Sequence, residues 1–128
     1  MTFKKIIVLG LCVMAALGVT SSVKAENKIP EECKTGGFFI GCQAYTFNRY
    51  SVFEAIEKTA AAGGKVIEFY PGQKLSKEEP NIKWDHNASP ETIQKVKDKL
   101  AQYKIKAVNY GVVGIPKDEE QARKLFEF

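Results

Sequence analysis

Residues 41–72 read GCQAYTFNRYSVFEAIEKTAAAGGKVIEFYPG, and the order of apolar and polar positions in this stretch decides the fold class. Phe38 to Tyr45, which runs into it, is short, apolar and rich in aromatics, the pattern of a buried strand. Ser51 stands where it can cap a helix in which Phe53, Ile56 and Ala60 recur at helical spacing. Gly63-Gly64 then ends that helix in the manner of a C′ glycine. Val66-Ile67-Glu68-Phe69-Tyr70 is a second strand, stopped by Pro71-Gly72.

The same alternation continues toward the C-terminus. Leu75 to Ala88 is polar and lacks periodicity, so a loop with at most a short helical turn is expected. Ser89-Pro90-Glu91 opens a second helix with a cap, a proline at the first helical position and an acid in the first turn. Ile93, Val96, Leu100 and Tyr103 make its apolar stripe. Ile105 to Tyr110 is a third strand, and Asp118 with Gln121 resembles a capping box for a third helix whose apolar face begins with Ala122, Leu125 and Phe126. The order βαβαβα implies α/β architecture with parallel strands and crossover connections. Three parallel strands are a thin sheet, and no strand follows to cover the third helix, so the sequence reads as cut short.

Toward the N-terminus the character changes. Lys4-Lys5 is a short positive region, Ile6 to Val19 is an unbroken apolar run, and Val23-Lys24-Ala25 puts small residues where a signal peptidase reads them. Residues 1–25 are therefore expected to be a secretory signal peptide cleaved near Ala25, residues 26–35 an N-terminal arm, and 36–128 the folded part. The run is short of the roughly 20 residues that a membrane span needs, and Leu11 before Cys12 argues against a lipoprotein. The product would be exported, to periplasm or medium, with no membrane attachment after cleavage.

Composition narrows the partners. With 45% hydrophobic and 27% charged residues, the chain is neither collagen-like nor low-complexity, and three Cys do not make a disulfide scaffold. The formal charge of +4 rests on Lys4, Lys5 and Lys24; without the first 25 residues, 16 Lys+Arg face 15 Asp+Glu. No nucleic-acid partner is expected from so balanced a chain. An exported chain permits a bridge between Cys33 and Cys42, and two unrelated thiols are the other reading. No CxxC pair or Cys/His cluster is present.

In parallel α/β folds, ligands bind at the carboxyl ends of the strands. Alternation along a strand puts Gln43 with Tyr45, Glu68 with Tyr70, and Asn109 with Gly111 on shared faces. Each strand thus brings a polar group to its carboxyl end. Gln43 and Asn109 have a plainer reading, the satisfaction of local backbone groups. Glu68 is the sharpest residue, because a carboxylate inside VIEFY must be paired, hydrated or protonated. It suits sugar hydroxyls, acid–base work or metal support, and a structural ion pair is the competing account. His86, in the Trp84-Asp85-His86-Asn87 loop, reads as solvated, and Trp84 as the anchor of that loop. Gly63-Gly64-Lys65 is not a P-loop, Gly111-Val112-Val113-Gly114 is not a dinucleotide fingerprint, and no Ser-His-Asp set can be assembled.

Three strand-end motifs carry a resemblance: Gln43-Ala44-Tyr45-Thr46-Phe47, Ile67-Glu68-Phe69-Tyr70 and Val108-Asn109-Tyr110-Gly111-Val112-Val113. Over about Gly36 to Phe128 the chain resembles the start of exported sugar phosphate isomerase/epimerase proteins, in the xylose-isomerase-like TIM-barrel superfamily. The resemblance implies the first three βα units of a (β/α)8 barrel, whose complete form takes about 250 residues. It also implies a small carbohydrate ligand at the barrel mouth beside a divalent metal ion. In such families the metal ligands and the catalytic carboxylates come largely from later strands. No metal ligand and no catalytic residue is therefore carried over, and no divalent metal ion is expected to be held by this chain alone. Gln43, Tyr45, Glu68, Tyr70 and Asn109 are expected to line the substrate pocket. The alternative is a non-catalytic exported module that binds a carbohydrate or a partner, self-association included, through exposed strand ends. A related barrel acting on abasic DNA is disfavoured by the charge.

Overall fold

The computed structural model describes residues 29–128, so the expected signal peptide and the start of the arm lie outside the described residues. A 3₁₀ turn at Glu31–Cys33 leads into an antiparallel pair, β1 (Lys34–Thr35) and β2 (Phe38–Phe39). β3 (Gly41–Gln43) and a 3₁₀ turn at Ala44–Phe47 precede helix α1 (Val52–Ala61). Then come β4 (Val66–Phe69), the small antiparallel pair β5 (Gln73–Lys74) and β6 (Lys83–Trp84), helix α2 (Pro90–Tyr103), β7 (Lys106–Tyr110) and helix α3 (Glu119–Glu127). The molecule is mixed α/β, with β3, β4 and β7 forming a parallel sheet in that order.

The helices begin where their sequence signals stand. Ser51 Oγ accepts from the Glu54 N–H at 3.3 Å, and Glu54 Oε2 accepts from the Ser51 N–H at 3.0 Å, a reciprocal box that satisfies two end groups of α1. Gly63 follows α1 at φ 82°, a conformation that costs glycine little. Ser89 caps α2 through the Thr92 N–H at 3.2 Å, with Pro90 at the first helical position. α3 is capped by Asp118, whose Oδ1 accepts from the Gln121 N–H at 2.9 Å. α2 ends at Lys104, a non-glycine residue at φ 54°.

One face of the sheet carries the core. Ile67 and Phe69 of β4 are buried with Ala55 and Ile56 of α1, Val96 of α2, and Ile105 just before β7. Lys99 of α2 pairs with Glu57 of α1 at 2.6 Å across the two helices. Leu75 and Trp84 close this cluster from the β5–β6 pair, and Trp84 packs edge-on to Phe69 at 5.5 Å and against Phe128 at 4.8 Å.

Two expectations need correction. The strand expected over Phe38–Tyr45 is divided: Phe38-Phe39 folds back on Lys34-Thr35 across Gly36-Gly37, both at positive φ, and only Gly41–Gln43 joins the parallel sheet. Phe38 is 75% exposed and Ile40 50%, so this aromatic run is not the buried strand its composition suggests. Close approach governs the break: a side chain at Gly41 would overlap the Val66 carbonyl oxygen, so the sheet can begin only at a glycine. Second, the loop over Leu75–Ala88 is more ordered than expected. Leu75 N–H donates to Ile82 O and Gly72 N–H to Trp84 O, each at 2.9 Å, and buried Leu75 joins Trp84, the expected anchor. The expected third strand is present as β7, mostly exposed and at the sheet edge, with β4 as its one partner among the described residues.

Candidate functional site

The register of the parallel sheet brings three polar side chains to one level. Gln43 lies opposite Glu68, and Glu68 lies opposite Asn109. Residues so paired share a face, and the neighbours Ile67 and Phe69 occupy the helix-covered one. The row Gln43–Glu68–Asn109 therefore crosses the opposite face. An irregularity in β7 makes this alignment: Ala107 pairs with Ile67 but Asn109 with Glu68, leaving Val108 as an extra residue. Regular pairing would have set Val108 beside Glu68. Strand alternation read from sequence does not reveal that extra residue.

Glu68 is half-buried and accepts a hydrogen bond from Gln43 Nε2 at 3.2 Å on Oε1. It makes no ion pair among the described residues; a neutral amide meets the carboxylate instead. Glu68 and Gln43 are thus one unit, in which the amide is oriented by its bond to the acid and keeps its carbonyl oxygen as an acceptor.

Tyr45 does not sit on a strand. It lies in the Ala44–Phe47 3₁₀ turn, so the alternation that groups it with Gln43 does not apply. The turn is held from behind by the buried amide of Gln73, which donates to Phe47 O at 3.2 Å and Tyr50 O at 3.1 Å. That support sets the 57% exposed Tyr45 ring edge-on to Tyr70, with centroids 5.1 Å apart and planes at 73°. Burial first, and the neighbouring Tyr45 second, push the Tyr70 hydroxyl above the usual tyrosine range.

Gln43, Tyr45, Tyr70, Pro71, Gly111 and Val112 line a cavity of about 360 Å³ at the carboxyl ends of the strands, near the lower end of the roughly 300–1,000 Å³ typical of small-molecule sites. Of the five expected site residues, three share this cavity, and Glu68 is tied to it through Gln43. Asn109 is in register with Glu68 but opens instead on an adjoining hollow of about 500 Å³, walled by Val113, Ile115, Leu125 and Phe126. Gly111 and Val112 border both spaces. These two, with Pro71, are not among the residues expected to line the pocket; their signals are the shared face of Gly111 with Asn109 and positions within two residues of strand ends.

His86 lies apart from this row. Its Nδ1 is 3.3 Å from Tyr110 Oη, and it borders a wider hollow of about 710 Å³ where the 85–87 loop meets α3. Cys33 and Cys42 are free thiols. Among the described residues, no three His, Cys, Asp or Glu side chains are grouped to hold a metal ion. Glu68, the single carboxylate of the row, does not make the several converging ligands that a divalent ion requires. Compared with known families and with curated proteins, the chain matches no family model and no curated protein.

Proposed function

We propose that this chain is an exported sugar isomerase/epimerase-like protein, the N-terminal part of a metal-dependent (β/α)8-barrel enzyme, and that alone it binds a sugar without converting it. The observation that carries the reading is the polar row Gln43–Glu68–Asn109 at one level of a parallel sheet, beside the Tyr45–Tyr70 pair. Carboxylate and amides are suited to adjacent hydroxyl groups, and the tyrosine faces to the C–H surface of a sugar ring. Proton abstraction next to a carbonyl needs a base at the carbon and donors at the developing oxyanion. The described residues supply neither as a set. Their contribution is to bind and orient.

Titration of the purified chain with free aldoses and ketoses, followed by tyrosine emission or amide chemical shifts, tests this reading. Saturable binding that is lost in Tyr70→Ala, with no conversion of the sugar, is the expected result. Failure of every sugar to bind overturns it. The second reading, a non-catalytic exported carbohydrate-binding module, is favoured by the exposed Tyr45 ring, a ready stacking platform. Sequencing the coding region downstream of Phe128 separates the two: further βα units support the enzyme reading, and an immediate stop supports the module.

A further inference from the structure

The chemistry of the Tyr45–Tyr70 cavity is one-sided. Its lining residues offer an amide, two phenols, a proline, a glycine and a valine, and none is Lys, Arg or His. The nearest fixed charge on the row is negative, the Glu68 carboxylate, one hydrogen bond from the lining through Gln43. Phosphate groups in α/β folds are commonly seated on helix N-termini, where free N–H groups and the dipole attract anions. Among the described residues, the starts of α1, α2 and α3 are already served by their own side chains. Ser51, Ser89 and Asp118 each accept from an N–H of the first turn. Glu54, Glu91, Glu119 and Glu120 add carboxylates to those same turns.

We infer that this cavity takes a neutral, unphosphorylated sugar or cyclic polyol, and that Glu68 is the residue that turns away phosphorylated and other anionic sugars. The inference rests on the proposed sugar-binding reading and narrows it. Gln43, held by Glu68, offers its carbonyl oxygen to a ligand hydroxyl. Glu68 stands one hydrogen bond behind the lining, so it fixes the amide and sets the charge at the cavity's edge. A phosphate or carboxylate on a ligand in the cavity would face the Glu68 carboxylate across Gln43 as like charge. No lining cation offsets that repulsion. Selectivity is therefore expected to come from exclusion of the charged ligand as much as from attraction of the neutral one.

The experiment compares D-glucose, D-fructose and myo-inositol with glucose 6-phosphate and fructose 6-phosphate, all binding to the full purified chain at low ionic strength. The neutral ligand is expected to bind at least about tenfold tighter than its phosphate, as like charges at short range under partial screening allow. In Glu68→Gln, which keeps the shape and the link to Gln43, that ratio should collapse toward one. Raising the salt should narrow the ratio in the unaltered chain, because screening weakens the repulsion; this arm holds even where the variant folds poorly. Phosphates that bind as tightly as free sugars, or a ratio unmoved by both salt and Glu68→Gln, overturn the inference and leave the sugar-binding reading standing. No binding by any member of the set overturns both.

Discussion

Glu54 shows how much one capping residue can be asked to do. Its carboxyl is held down to about 2 from an ordinary 4.5, first by the hydrogen bond from the Ser51 backbone N–H, helped by Ser51 Oγ and by Lys77 at 3.1 Å, with desolvation opposing. A carboxyl depressed on folding stabilises the folded state fully above its unfolded value, and that contribution disappears as pH falls through the folded value. Acid unfolding should therefore steepen between about pH 4.5 and 2. Thermal melts of Glu54→Gln across this window should show a shallower fall than the unaltered chain. Ser51→Ala should cost about 0.5–2 kcal/mol at neutral pH, since it removes the N-cap acceptor. Equal acid slopes for Glu54→Gln and the unaltered chain would refute the assignment.

At the scale of elements, α2 ends in a conformation that its sequence does not favour. Lys104 adopts φ 54° where glycine is the usual occupant, and its N–H still closes on Leu100 and Ala101 carbonyl oxygens. Relief of that strain in Lys104→Gly should raise stability by roughly 0.4–1 kcal/mol, readable as a rise of a few degrees in the melting midpoint. An unchanged or lowered midpoint would show that the Lys104 side chain offsets its backbone cost. The elements also show what was legible beforehand. Ser51, Ser89 and Asp118 announced their helices because a cap and an apolar stripe are local chemistry, and the β4 run from Val66 declared itself because it is central and covered. The Phe38–Tyr45 stretch misled, because hairpin, strand and 3₁₀ turn divide it according to contacts with Thr35, Val66 and Gln73. The row Gln43–Glu68–Asn109 was legible residue by residue. Its alignment was not, since it depends on a pairing irregularity between β4 and β7.

At the scale of the molecule, the core lies on one side of the sheet, between it and α1 and α2, and the polar row lies on the other. Val112 is 92% exposed, Ile115 64% and Phe126 73%, all bordering the hollow beside β7. A contiguous apolar surface of this kind promotes association, and an edge strand adds free backbone donors and acceptors to it. Sedimentation of the purified chain should show an average mass that rises with concentration, and Phe126→Glu should lower that rise; a strictly monomeric chain at every concentration would refute this. Divalent ions should act differently. Mn²⁺ or Mg²⁺ at millimolar concentration should leave the melting midpoint nearly unchanged, whereas a ligand held by the folded state alone would raise it by mass action. A clear metal-dependent rise that Glu68→Gln abolishes would show that Glu68 finds co-ligands in solution.

Trp84 is the chain's single tryptophan, and it touches Phe69 of the central strand on one side and Phe128, beyond α3, on the other. The molecule thus carries a built-in optical reporter at the seam between its core and its C-terminal helix. Indole emission, excited at the red edge where tyrosine is silent, would follow the undocking of α3 as a shift toward longer wavelength, before the core itself opens. Tyr110, which also packs on Phe128, lies at the same seam, so the red-edge indole signal is the one that isolates it, with no label attached.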